Sequence, residues 1–383
     1  MFKGRKTLVR ATLTMIGTII GAGIFGVPAM FERTGFLVGS VVFWAIALAV
    51  LAAHLLFVEL IERDPERRRF PGYVGKALGS WAKALGAVMY ALELTGANFA
   101  YVVLGGLFLL QLVAPFGLAV STLVWQVLFW IAGVLIVLSA LRVVAKIESF
   151  LTWLLIAVMV AVIAFAASTA DPTRFAPQQW SAAFAPFGIF VFALFGIMAI
   201  PEIHEIVNRR KDRTRIAVAV GTLVSALLTW LFGVAVFAGM PIAASSQASD
   251  PTVLALILPF TFRWLLPLVG LLAVITSFIV TAFDLQAMLR LDLKQSVLFA
   301  RIFAFGAPLL LLFLATRDFL NIVDVVGALF TAANGVLACV AAAVVMRHGR
   351  VRSSVWWRIV APAAASAVFI IAIVQRLIAF TLN

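Results

Sequence analysis

Residues 17–28 read Gly17-Thr18-Ile19-Ile20-Gly21-Ala22-Gly23-Ile24-Phe25-Gly26-Val27-Pro28, and they interrupt an apolar segment that runs from Arg10 to about residue 31. The segment is long enough to cross a bilayer, yet its centre resists regular helix. Each glycine forfeits roughly 1 kcal/mol of helix propensity and the proline about 3 kcal/mol. Unpaired backbone groups at membrane depth are tolerated only where they line a cavity or meet a ligand. A span broken in this way implies a membrane transporter.

The surrounding composition sets the medium. Of 383 residues, 64% are hydrophobic and 12% charged, and stretches of about twenty apolar residues recur along the chain, the length that crosses a hydrocarbon core. Eleven spans are expected, at about residues 10–31, 36–61, 80–113, 120–140, 147–169, 181–201, 215–238, 262–289, 297–315, 321–346 and 355–377. No small-residue cleavage site follows the first span, so it reads as mature structure rather than a signal peptide. Basic residues alternate between the loops. Lys3 to Arg10, Arg63 to Lys83, Arg142 and Lys146, Arg209 to Arg215, Arg290 to Arg301 and Arg347 to Arg358 fall on one side, against Arg33, Arg174, Arg263, Arg317 and Arg376 on the other. The positive-inside rule then puts the N-terminus in the cytoplasm and the C-terminus outside, in the cell's inner or plasma membrane. These loops also account for the net charge of +13, and no soluble domain carries a basic patch for nucleic acid. The single cysteine, Cys339, lies in an apolar span and excludes an intramolecular disulfide.

A second span is interrupted. Phe184-Ala185-Pro186-Phe187-Gly188 opens the sixth, and Phe195-Gly196-Ile197-Met198-Ala199-Ile200-Pro201-Glu202 crosses its inner half. Five spans counted from each break make a unit, and an odd number inverts the second unit relative to the first. A site between two discontinuous helices is the expected result. The domain reading is one transmembrane unit over residues 1–383, with a first repeat at about 10–169, a second at 181–346 and an extra helix at 355–377.

The string Gly17-Thr18-x-Ile20-Gly21-Ala22-Gly23, with Pro28 and Gly35-Phe36, resembles the first-span signature of the aromatic amino acid permeases and the wider amino acid/auxin permease family, within the amino acid, polyamine and organocation superfamily. Pro201-Glu202 at the end of the sixth span resembles the same group. The resemblance implies an all-α membrane protein of the leucine-transporter fold. It would hold five spans, an inverted five with broken helices 1 and 6, and an eleventh helix.

An amino acid presents a carboxylate and an ammonium, and burying either without partners costs several kcal/mol. Unwound helix ends supply both: freed N–H groups for the carboxylate and freed carbonyls for the ammonium. Gly21, Ala22 and Gly23 are therefore expected to take the carboxylate through backbone N–H, with carbonyls of Ile19, Phe195 and Gly196 facing the ammonium. Phe25, Phe192, Phe195, Met198 and Tyr101 would line the side-chain pocket, which favours a neutral, apolar or aromatic amino acid.

Two coupling ions compete. Ala273, Thr276 and Ser277 of the eighth span, with the Gly17 and Ile20 carbonyls, make five oxygens suited to a small hard cation. Their spacing resembles the sodium site of sodium-coupled relatives. The hydroxyls could instead bond back to their own helix. In some relatives a lysine in the fifth span replaces sodium, but Thr152-Trp153-Leu154-Leu155 runs apolar there. Glu93, roughly 15 Å into the membrane by helix rise, is the proton-coupling candidate, since an intramembrane acid is a functional hypothesis by default. The aromatic amino acid permeases are generally thought to be proton-driven, so the resemblance pulls toward Glu93 and the hydroxyl pair toward sodium. No other cofactor is expected.

By analogy with the fold, Arg5 or Lys6 would meet Asp284 and Asp292 as an inner gate, and Arg33 would meet Asp324 as an outer one. His54 reads as a packing histidine, and Glu202-Ile203-His204-Glu205 lacks zinc-protease spacing. Asp250-Pro251 reads as a helix start in an outer loop that could lid the vestibule. An ion channel, the remote alternative, would want a continuous polar pore, and an enzyme a nucleophile with a base. The spans offer neither.

Overall fold

The structure is a computed structural model and describes residues 2–117, 121–139, 141–240, 263–348 and 354–382. Among these residues every regular element is helical. Large apolar side chains such as Leu48, Leu135, Ile302, Leu314 and Ile370 face outward, while polar Asn98, His54, Thr229 and Asn334 are wholly buried. That inversion of the usual surface is what a hydrocarbon solvent selects.

All eleven expected spans have helical counterparts. The first comprises Phe2–Ile19, a 3-10 turn at Ala22–Gly26 and the helix Val27–Thr34, the two halves meeting at 45°. Gly35, at φ 79°, turns the chain into the second span, Phe36–Ile61. Gln178 from the loop after span 5 accepts the Leu37 and Val38 N–H groups at 2.9 and 3.2 Å and so caps that helix. A short helix, Phe70–Leu78, precedes the third span, Ser80–Val113. Thr122–Ser139 and Leu141–Ser168 form the fourth and fifth.

The sixth span is Phe187–Leu194, a 3-10 turn at Ile197–Ala199 and Ile200–Ile206, with Phe195 extended between them. Lys211–Gly239, Leu265–Leu291 and Val297–Leu314 follow as the seventh, eighth and ninth. The tenth joins Phe319–Val325 to Ala332–His348 through a π-helical turn, Val326–Thr331. Such turns re-aim side chains and concentrate at functional sites. Ala361–Leu382 is the eleventh. The expected short helix at Asp250-Pro251 lies outside the described residues.

Spans 3 and 8 pack along each other, and span 1 packs against spans 7 and 5. The two broken spans meet at their breaks, where an ideal Cβ on Gly23 would lie 2.6 Å from the Ala193 Cα. Only glycine permits that approach.

Candidate functional site

The breaks enclose a small cavity. Its wall is made by Thr18, Ile19, Gly21 and Gly23 of span 1, Glu93, Ala97 and Tyr101 of span 3, Phe192, Phe195 and Met198 of span 6, and Thr331 of span 10. At about 20 Å³ it has room for one water, so an amino acid enters only if the two breaks part. Its lining is apolar and aromatic apart from Thr18, Thr331, the Tyr101 phenol and one carboxyl, Glu93.

Local geometry distributes the backbone groups. The Gly21 N–H donates to the Ile19 carbonyl at 2.9 Å, so two of the expected substrate contacts are spent on each other in this conformation. Ala22 and Gly23 open the 3-10 turn, and the first N–H groups of a helix have no partner within it. Residues three apart eclipse in such a turn, which sends Phe25 the way of Ala22. Phe25 therefore packs on Phe108 and Phe232, with ring centroids at 5.0 and 6.0 Å, and neither Phe25 nor Ala22 reaches the cavity wall. The Tyr101 and Phe192 rings stand 6.4 Å apart across the pocket.

Glu93 is buried, and Asn334 of span 10 donates to its Oε2 at 2.5 Å. Asn98 on its own helix is not its partner; both amide atoms of Asn98 are buried without one.

A second cavity of about 20 Å³ lies between spans 1, 5 and 8, lined by Gly17, Thr18, Thr152, Met198, Ala273, Thr276 and Ser277 among others. It brings together four of the five residues expected to hold a cation; Ile20 sits at the break and is absent from the wall. Thr276 donates to the Leu272 and Ala273 carbonyls at 3.0 and 2.9 Å. A hydroxyl that donates its one proton to its own helix still presents lone pairs, so this back-bonding leaves its oxygen able to ligate. Ser277 Oγ is buried without a partner. Thr152 shares this wall and was not among the residues expected there. An ideal Cβ on Gly17 would lie 2.5 Å from Thr152 Oγ1, so the hydroxyl stands against the bare Gly17 backbone.

Larger vestibules flank the closed centre. One, of about 420 Å³, is lined by Arg69, Met198, Glu202, Asp284, Arg290 and Arg301 among others. The other, of about 560 Å³, is lined by Arg33, Ile189, Arg317, Asp318, Asp324 and Arg376 among others.

The charged pairs at their mouths differ from those expected. Asp324 pairs with Arg376 of the eleventh span at 2.7 Å, and Arg376 also donates to Asn321 at 2.5 Å; Arg33 lines the same vestibule but is not its partner. Asp284 accepts from the Tyr90 hydroxyl and pairs with Arg69 at 2.9 Å. Asp292 accepts the N–H groups of Arg69 and Gly72 at 3.1 and 2.8 Å, capping the helix Phe70–Leu78 as a carboxylate does at a helix N-terminus. Burial pushes the Asp292 carboxyl up to about 6, against the pull of those N–H groups. The Arg5 side chain lies outside the described residues, and Lys6 is exposed.

Met198 borders both small cavities and the 420 Å³ vestibule. It is the side chain common to all three. Truncation by Met198→Ala is expected to open a leak, raising passive efflux of preloaded substrate several-fold in vesicles without an ion gradient. Efflux at the parental rate would show that the wall does not depend on this side chain.

The fold has solved counterparts. MhsT in complex with L-phenylalanine superposes with a TM-score of 0.71 at 17% identity, over 95% of this chain and 98% of that one. The Eremococcus coleocola manganese transporter, in complex with an aromatic bis-isothiourea substituted compound, gives 0.66 at 12% identity, over 98% and 87%. Mhp1, a nucleobase-cation-symport-1 family transporter in a closed conformation with bromovinylhydantoin bound, gives 0.66 at 14% identity, over 97% and 91%. These are leucine-transporter folds, and identities this low carry the fold alone. No curated protein matches the chain in sequence. A family model does: that of the tryptophan/tyrosine permease family, over residues 4–381.

Proposed function

The chain belongs to the tryptophan/tyrosine permease family and is an integral-membrane secondary amino acid transporter, and from that premise we propose that it moves a neutral aromatic amino acid by sodium-coupled symport with alternating access. The observation that carries the reading is the pair of adjoining cavities. One is walled by aromatic rings and unwound backbone, the other by Gly17, Thr152, Ala273, Thr276 and Ser277. Thr18 and Met198 border both, so an ion bound in one stiffens the segment that a substrate meets in the other. That shared wall is a physical basis for coupling.

In this reading the Gly23 N–H receives the carboxylate, joined by Ala22 as the breaks part and by Gly21 once its bond to Ile19 opens. Carbonyls of Ile19, Phe195 and Gly196 receive the ammonium, and Phe192, Phe195, Met198 and Tyr101 hold the ring. The cation orders the glycine segment, the amino acid closes the site, and spans 1 and 6 rock against spans 3, 4, 8 and 9. Arg376 with Asp324 closes the outer side, and Asp284 and Asp292 with the Arg69 segment close the inner. The orientation with a cytoplasmic N-terminus and the place within the amino acid, polyamine and organocation superfamily belong to this reading too.

Coupling to protons is the second reading, and one observation favours it: Glu93 is a buried carboxyl on the wall of the substrate cavity itself. A carboxyl that exchanges a proton beside the substrate links the two events without any cation site.

Counterflow tests the transport class. Proteoliposomes preloaded with unlabelled tryptophan are expected to accumulate labelled tryptophan transiently and saturably. An unsaturable flux or an ohmic current would replace the transporter reading with a channel.

A further inference from the structure

The peptide between Phe195 and Gly196 is held from behind. The Gly196 N–H donates to His54 Nε2 of span 2 at 3.0 Å, while His54 Nδ1 stands 3.0 Å from Thr222 Oγ1 of span 7. Because Nε2 accepts, the ring proton resides on Nδ1 and is donated to Thr222. The imidazole is wholly buried and its ring lies 5.5 Å from that of Phe195. It is absent from the cavity wall, so it touches no substrate.

In a planar trans peptide the N–H and the preceding C=O point in opposite directions, and the described chain holds no cis bond. Anchoring the Gly196 N–H on His54 therefore turns the Phe195 carbonyl away from span 2. Phe195 lines the cavity together with Ile19 and Gly21, and an ideal Cβ on Gly196 would lie 2.6 Å from the Ile19 side chain. An acceptor on the N–H also polarises the amide and strengthens the carbonyl as an acceptor. Without such an anchor, an extended residue at a helix break is free to rotate its peptide plane.

We propose that His54 is a positioning residue: with Thr222 it locks the Phe195–Gly196 peptide so that the Phe195 carbonyl faces the substrate ammonium. The inference rests on the amino acid reading above and assigns a task to a histidine that otherwise reads as packing.

The test separates the two claims. Equilibrium binding to purified protein is measured by competition with tryptophan and with indole-3-propionate, which keeps the ring and carboxylate but lacks the ammonium. The parent protein is expected to prefer tryptophan. His54→Leu should weaken tryptophan about tenfold, the scale of one charge-assisted hydrogen bond, and leave indole-3-propionate unchanged. His54→Gln, which returns an acceptor to the Gly196 N–H, should restore most of the preference. If His54→Leu does not assemble, Thr222→Val, which frees the imidazole, is expected to give the same selective loss in smaller measure. Equal weakening of both ligands, or of neither, would overturn the assignment. A parent protein that does not distinguish the two ligands would overturn the ammonium site first, and the role of His54 with it.

Discussion

Gly23→Val is expected to lower uptake by at least roughly 100-fold while the protein still inserts and purifies. A Cβ at this position would lie 2.6 Å from the Ala193 Cα and 3.1 Å from its N. These are backbone atoms of the other broken span and cannot swing aside. Valine adds two further carbons, so the breaks are forced apart at the point where Gly23 lines the cavity. Overpacking of this kind costs about 1–3 kcal/mol of stability, which a membrane protein of this size tolerates. Site geometry is less forgiving: in enzymes a displacement near 1 Å costs about two orders of magnitude in rate, and the same scale is expected for uptake. Gly23→Ala should fall between the two. Uptake retained in Gly23→Val, at equal amounts of inserted protein, would remove the span 1 backbone from the substrate site.

The second large effect concerns the cation. Joint replacement of Thr276 and Ser277 by Ala takes two of the cage oxygens and leaves Gly17, Ala273 and Thr152 around an apolar patch. A desolvated ion without its full oxygen set is penalised by several kcal/mol. The half-saturating sodium concentration for uptake should rise by more than about 100-fold, equivalent to about 3 kcal/mol. Glu93→Gln is the contrasting variant: under sodium coupling it should keep its link to Asn334 and reduce uptake only a few-fold. Sodium dependence unchanged in the double Ala variant would rule the cage out. Loss of driven uptake in Glu93→Gln, with exchange preserved, would transfer coupling to the carboxyl.

What could be read from the chain and what could not divides along a physical line. The breaks were legible because they are local: Gly17 to Pro28 and Phe195 to Glu202 carry their helix penalties in their own backbone, whatever surrounds them. Span positions were legible because hydrocarbon thickness sets them. Partners across the bundle were not, since a pairing depends on how two distant helices cross.

Asp324 was expected to meet Arg33, but the eleventh helix brings Arg376 to 2.7 Å. Asn334 reaches Glu93 across 241 positions of chain, and His54 reaches Gly196 across 142. Thr152 was passed over because its neighbours are apolar; its signal was its place opposite Gly17, which only the crossing of spans 1 and 5 reveals. Phe25 stands off the small cavity for a local reason, because an α-helical turn and a 3-10 turn send the same residue to different faces.

We propose that a sodium gradient drives an aromatic amino acid through the paired cavities. Uptake of labelled tryptophan is measured in proteoliposomes holding the purified protein, with an imposed inward sodium gradient at equal pH, or an imposed proton gradient without sodium. Accumulation above equilibrium is expected with sodium, and mere equilibration with protons. Accumulation driven by protons alone would contradict it, make the Thr276 and Ser277 hydroxyls part of helix packing, and place the coupling at Glu93.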